Sequence, residues 1–284
     1  MTDAAEYRKA SRERWGKSAR GWQARREQLA HASMPVTARM VDAIAPQPGH
    51  ELLELAAGIG DTGFYAAELI QPGGTLICSD FSPEMLSAAQ ERALALGLSN
   101  VRFKQIDGES IDLGAGSLDG VLCRWGYMLM ADPAAALRES RRILRQGGRL
   151  ALAAWTGPDE NLWSALPGRE LVRRGHMERP RPEQPGQFAW ADPGRIEAAL
   201  QEVGFVEDLE IERVGFELGF ASFETWWATQ RDLSSSFAET VDGLAPDEHE
   251  EVRAAVRASV ADFETGADGG LTIPAATWVA AGTA

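Results

Sequence analysis

Cysteine is scarce in this chain of 284 residues: there are two, Cys78 and Cys123, each inside an apolar run. Their number and spacing suit neither a disulfide framework nor a zinc site, so both read as small buried hydrophobes. A reducing cytoplasm is the expected setting. Long apolar runs are missing too. No stretch nears the ~20 residues of a membrane span. The opening Met1-Thr-Asp-Ala-Ala-Glu-Tyr7 lacks a signal peptide's apolar region. Positive charge is in deficit, 28 Lys and Arg against 42 Asp and Glu, for a formal net charge of −14. A duplex nucleic-acid binder carries a basic face, so nucleic acid is disfavoured as a partner and a cationic or neutral small molecule is favoured. What is present, 44% hydrophobic and 25% charged residues, is an ordinary globular balance that can fill a core.

The most informative stretch is Glu51-Leu-Leu-Glu-Leu-Ala-Ala-Gly-Ile-Gly-Asp-Thr-Gly63. A short apolar run leads into Gly58-Ile59-Gly60, and a helical pattern follows. This predicts a buried strand over 51–57, a tight glycine turn and a helix from about 61 to 70. Glycines there let a backbone approach a ligand, and the helix start offers free N–H groups. Glu54 is an acid at the end of a buried strand, which is costly without a partner. A ligand bearing an ammonium or sulfonium group would supply one.

Strands and helices then alternate. Strands are expected at 75–80, 101–107, 118–124 and 149–155, with helices from Pro83, capped by Ser82, and over 134–144. Short apolar strands separated by helices imply a parallel sheet covered on both faces. Residues 156–191 break this rhythm with a run of prolines. It resumes with a helix from Pro193 to Val203 and a strand over 206–218. An aromatic helix carrying Phe220, Phe223, Trp226 and Trp227 follows, then a Ser-rich break at 234–236 and a charged helix from Pro246. The Asp268-Gly-Gly270 turn leads into a last strand over 271–281. Ahead of all this, 4–45 is helical in pattern. Trp15 and Trp22 would share one face of it if Gly16 and Gly21 do not break the helix.

Ligands of a doubly wound sheet bind at the carboxyl ends of the strands. The second strand ends in Asp80, where a carboxylate can accept both hydroxyls of a ribose or cap the next helix. Phe81 and Met85 beside it could flank a flat purine or pack in the core. The third ends in Asp107-Gly108, able to meet an adenine edge or simply to turn. The fourth ends in Arg124-Trp-Gly-Tyr127, whose arginine could meet a carboxylate or bond loop carbonyls. Gly58-Ile-Gly-Asp-Thr-Gly63 by itself also satisfies the dinucleotide fingerprint.

Taken together, Glu51–Gly63, Ile77–Leu86, Gln105–Glu109, Ser117–Tyr127 and Leu144–Trp155 resemble the class I S-adenosylmethionine (SAM)-dependent methyltransferases, and within them the ubiquinone/menaquinone-biosynthesis and general small-molecule group. Ala56 stands where that family usually has its first glycine, and Gln146 where it has a proline. The resemblance implies an α/β fold. Its doubly wound Rossmann-like sheet would have seven strands, mostly parallel, with the last strand antiparallel and inserted between the fifth and sixth. It implies SAM as cofactor, held by Glu54, Ala56, Gly58, Gly60, Asp80, Phe81, Met85, Asp107, Gly108 and Arg124, with an ionised Glu54 on the methionine ammonium. The chain is then one domain. Residues 1–45 would form a helical lid and 46–155 the cofactor core, with insertions at 156–191 and 219–268. Residues 192–218 and 269–284 would complete the sheet. The expected reaction is in-line methyl transfer to a small, apolar or aromatic acceptor contacted by Trp15, Tyr127 and Trp226, beneath a lid that includes the Phe223–Trp227 helix. No residue is assigned as catalytic base, since His31, Tyr127 and His176 have no placed role, and no metal is expected. An NAD(P)-dependent oxidoreductase fits the glycines and Asp80 but not Glu54, nor Ala131 where a lysine would follow Tyr127. A SAM-binding scaffold without turnover is the other alternative.

Overall fold

The structure is a computed structural model describing residues 4–265 and 269–284. Met1 to Asp3, and Asp268 of the expected turn, lie outside the described residues. The chain opens with helices α1 (Ala4–Ala32) and α2 (Met34–Ile44). Alternation follows: β1 (Glu51–Glu54), α3 (Asp61–Leu69), β2 (Thr75–Asp80), α4 (Pro83–Ala95), β3 (Val101–Gln105), β4 (Leu118–Arg124), α5 (Pro133–Ile143) and β5 (Leu144–Trp155). Then come α6 (Leu162–Arg173), α7 (Pro193–Glu202), β6 (Glu207–Phe220), α8 (Phe223–Leu233), α9 (Ser235–Asp242), α10 (Pro246–Ser259), a two-residue β7 (Glu264–Thr265) and β8 (Gly270–Thr283).

The sheet runs β3-β2-β1-β4-β5-β8-β6, with β7 added beside β8. β1 to β5 are parallel neighbours. β8 is antiparallel to both β5 and β6 and lies between them, as the family resemblance implies. The apolar strand residues Leu52, Leu53, Leu76, Val121, Leu122, Leu150 and Leu152 are fully buried, so helices cover both faces. The chain order reverses direction at β1, between β2 and β4, and the crevice there opens at the carboxyl ends of the strands.

Several boundaries differ from expectation for local reasons. β1 stops at Glu54 rather than 57 because Ala56 and Gly58 take positive φ angles of 51° and 56°, which turn the chain off the strand. β3 ends at Gln105, and Asp107 instead closes a turn by bridging to Ser110. β5 begins at Leu144, with Gln146 to Gly148 absorbed in a register shift against β4. Phe220 ends β6 rather than opening the aromatic helix. Helix α6 inside the proline-rich segment was not legible, because Pro167 occupies its interior and removes an N–H. The carbonyl that this N–H would have met, that of Trp163, accepts from the Trp226 indole at 2.9 Å instead. Helix α9 lies in the serine-rich break: Ser234 ends α8, and its hydroxyl accepts from the Phe237 amide to cap α9.

Candidate active site

Three strand-to-helix turns meet in one crevice. Pro83 starts α4 and Ser82 caps it, accepting from the Met85 amide. That cap fixes Asp80, whose two carboxylate oxygens accept from the Gly58 and Ser82 amides, each at 2.9 Å. The carboxylate thus ties the glycine turn to β2. Burial still outweighs these bonds and raises its pKa to about 6. Glu54, 2% exposed, closes the end of β1. Its Oε2 has no hydrogen-bond partner. Burial pushes its pKa up to about 8, against the pull of the Gly63 amide and the Arg124 guanidinium. In the ligand-free protein burial thus favours the neutral carboxyl near pH 7, and an incoming cation would favour its ionised form.

Asp61, the first residue of α3, draws two arginines together. It pairs with Arg92 of α4 and, at 3.1 Å, with Arg124 at the end of β4. Arg124 also donates to the Ser33 hydroxyl between α1 and α2 at 2.6 Å and lies over the Trp125 ring. Trp125 is anchored by its indole N–H on Thr277 and by stacking on Trp155 at 4.2 Å. Beyond β3, Asp107 accepts from the Glu109 amide. Glu109 in turn accepts from Ala131 at 2.8 Å and pairs with Arg8 of α1.

These groups enclose a cavity of about 1040 Å³, its open mouth included. Its floor is formed by Glu54, Ala56, Gly58, Asp80, Asp107, Gly108 and Arg124, with Phe81 and Met85 at the side. Its roof is α1, through Tyr7, Arg8, Ser11, Trp15 and Trp22. Helix α1 passes through Gly16 and Gly21 unbroken, and the Trp15 and Trp22 rings lie 6.0 Å apart. Tyr7 donates to the Leu129 carbonyl at 2.9 Å.

Nine of the ten floor residues named from the sequence thus line the cavity. Gly60 does not; it caps α3 at φ 82° with the Phe64 ring against it. Of the three residues named for an acceptor, Trp15 lines the cavity, but it packs with Ile59, Met85 and Ala88 beside the glycine turn and α4. Tyr127 and Trp226 are corrections. Tyr127 is 1% exposed, bonded to the Ser140 hydroxyl and stacked on Trp190. Trp226, on α8, is fully buried against α6. Both are large apolar residues whose single polar atom finds a partner inside the core. Phe223 and Trp227 are buried as well, so α8 props up the roof without facing the cavity. Tyr7, Arg8, Ser11 and Asp61 were missed. Asp61 could have been found from its place at the start of the helix after the glycines. The α1 residues carry no local signal.

The fold matches solved proteins closely in extent. The YcgJ protein of Bacillus subtilis superposes with a TM-score of 0.56 at 18% identity, covering 87% of this chain and 97% of that one. A Haemonchus contortus phosphoethanolamine N-methyltransferase bound to S-adenosylhomocysteine superposes at 0.52 and 17% identity, covering 87% of this chain and 52% of that one. Residues 55–152 match the methyltransferase domain family. Residues 55–152 thus form a methyltransferase domain. Among curated proteins, this domain and its flanks are 32% identical to the nocamycin O-methyltransferase of Saccharothrix syringae, over 62% of this chain and 66% of that protein. They are 33% identical to a demethylmenaquinone methyltransferase of Thermus thermophilus, over 50% and 60% respectively. The chain thus spans from 44% to 66% of the length of the curated relatives it matches. No helix among the described residues is long and apolar enough to cross a membrane, and no described cluster of His, Cys, Asp and Glu could hold a metal ion.

Proposed function

We propose that the chain transfers a methyl group from S-adenosylmethionine to a small, uncharged, apolar or aromatic acceptor, as a single unit in the cytoplasm. The observation that carries this reading is the Glu54 Oε2, buried and unpartnered at the end of β1. An unmatched, buried carboxyl oxygen calls for a donor, and an ammonium group would supply both the hydrogen bond and the charge. Asp80 keeps lone pairs free for a ribose diol beyond its two amide bonds. Asp107 and Gly108 would take the adenine edge, with Phe81 and Met85 against its ring.

When bound, SAM supplies an electrophilic methyl on a cationic sulfur whose leaving group is a neutral thioether. The protein's part is then to place and dry the centre rather than to donate a proton. Glu54 would orient the amino-acid end, and Asp80 would fix the ribose. Trp15 and Trp22 would cover the cofactor half. Tyr7, Trp125, Leu129 and Met130 leave an apolar wall for the acceptor. The two arginines lining the cavity are already paired, Arg8 in the roof with Glu109 and Arg124 in the floor with Asp61. A carboxylate or phosphate on the acceptor would therefore find no free cation there, which favours an uncharged acceptor.

Calorimetry with SAM and S-adenosylhomocysteine tests the cofactor reading, and labelled SAM with a panel of neutral and anionic acceptors tests the transfer. Absence of binding by the folded protein would overturn the first. Binding without turnover on any neutral acceptor would favour a non-enzymatic scaffold. Hydrogen exchange should slow over residues 4–30 when the product binds, while α8 stays unchanged.

A further inference from the structure

Four non-glycine residues among those described have positive φ: Ala45 (46°), Asp208 (48°), Ala56 (51°) and Trp125 (60°). Two have ordinary local reasons. Ala45 is the left-handed cap ending α2, and Asp208 lies in the register shift between Glu207 and Glu210 on β6. Ala56 and Trp125 sit at neither a cap nor a bulge, and both line the cavity. Trp125 uses its strained backbone to lay the indole on Trp155 and Thr277. Ala56 has only a methyl group to place. A glycine there would hold the same backbone without strain and lose nothing but that methyl. Strain of this kind is retained where the displaced group has work to do.

The methyl also dictates its neighbour. A Cβ on Gly126 would lie 2.8 Å from the Ala56 Cβ and 2.6 Å from the Cys123 Sγ. Gly126 has φ −96°, a conformation open to any residue, so glycine is required there for room and not for backbone freedom. The place of the pair in the cavity follows from the chain. Glu54 lies two residues before Ala56, and Gly58, whose amide holds Asp80, lies two residues after. If Glu54 takes the amino-acid end of SAM and Asp80 the ribose, the sulfonium that joins them lies between the two carboxyls, at the level of Ala56.

We propose that Ala56 is a specificity-determining residue: its methyl, set against Gly126, narrows the cavity at the sulfonium and limits the size of the alkyl group the site accepts. This rests on the cofactor reading above. The test compares the wild type with Ala56→Gly and Ala56→Ser, measuring calorimetric affinity for SAM, S-adenosylhomocysteine and S-adenosylethionine, together with the melting temperature of each free protein. The affinity for the ethyl compound relative to SAM should rise by about tenfold in Ala56→Gly, the scale set by one methylene in a close pocket. It should fall below the wild-type ratio in Ala56→Ser. Ala56→Gly should melt no lower than wild type, since it relieves a strained residue. A ratio constant within about twofold across the three proteins, with only melting temperatures changing, would overturn the proposal and leave the cofactor reading standing. Failure of the wild type to bind SAM or S-adenosylhomocysteine would overturn both.

Discussion

The floor and the roof of the cavity are built in different ways. Arg124 apart, which reaches Ser33 and Asp61, the floor is made of strand ends whose partners are backbone amides: Gly58 and Ser82 on Asp80, and Glu109 on Asp107. It carries unmet demand, a neutral buried carboxyl at Glu54 and a second raised carboxyl at Asp80. The roof is one long helix held by side chains distant in sequence. Arg8 reaches Glu109 across 101 positions and Tyr7 reaches Leu129 across 122. Farther along, Arg25 pairs with Asp232, and Ser18 accepts from the Ser235 amide. The floor is thus fixed before any ligand arrives and is electrostatically incomplete. The roof is complete, and the Arg8 ion pair and the Tyr7 hydrogen bond help to fasten its ligand end. Binding strength belongs to the first region, access to the second.

The largest expected effect isolates the floor. In the fold the Glu54 carboxyl keeps its proton up to about pH 8, whereas its ordinary value is 4.5. Between those values the folded state holds a proton that the unfolded state has released, so stability falls as pH rises through the window. The full shift corresponds to roughly 5 kcal/mol at 1.36 kcal/mol per pH unit. Asp80 acts with the same sign from 3.8 to about 6. Denaturant melts of the ligand-free protein should show greater stability at pH 5 than at pH 8, and Glu54→Gln should flatten most of the slope above pH 6. A slope unchanged in that variant would mean Glu54 is solvated.

A second change attacks the docked part of the roof. Gly21→Ala places a Cβ 1.9 Å from the Asp232 carbonyl oxygen at the end of α8. Overpacking against backbone should cost about 2–3 kcal/mol in a urea melt and should free α1 as a whole in hydrogen exchange. Third, Asp80→Ala removes the acceptor of two buried amides. It should weaken SAM binding by about 1–3 kcal/mol in calorimetry without opening α1. The smallest effect comes from the latch. Arg8→Ala breaks a partly exposed ion pair and should lower stability by less than ~1 kcal/mol. Its signature is faster exchange confined to residues 4–12. Equal acceleration along all of α1 would erase the distinction between a docked and a latched segment.

The same division decides what could be read from the sequence. β2 and β4 match their expected limits residue for residue, because each is a short apolar run between turn signals. The floor residues were legible because a strand end carries its acid at a fixed offset from the glycines or the cap that follows. Tyr127 and Trp226 misled for the opposite reason. Aromatics next to a motif look alike whether they face a ligand or the core, and only a long-range partner, Ser140 or Trp163, decides it. Helix α6 stayed hidden because the answer to its proline is an indole 63 positions away. Arg8 and Glu109 become a pair only once α1 lies across the sheet.

The position of β8 has a consequence for the order of assembly on the ribosome. Among the described strands β6 pairs with β8 alone apart from its helical cover, and β5 presents its outer side to β8 as well. While residues 270–283 are still unmade, the nascent chain holds two long unpaired edges, one of them fourteen residues long. The first helix waits too, since the surface that seats it, α8 and α9, comes late. Helix α1 and strand β8 therefore each settle only after most of the chain between them has been made. A chain released short of β8 would carry both open edges into solution, the condition under which strands join other molecules instead of their own.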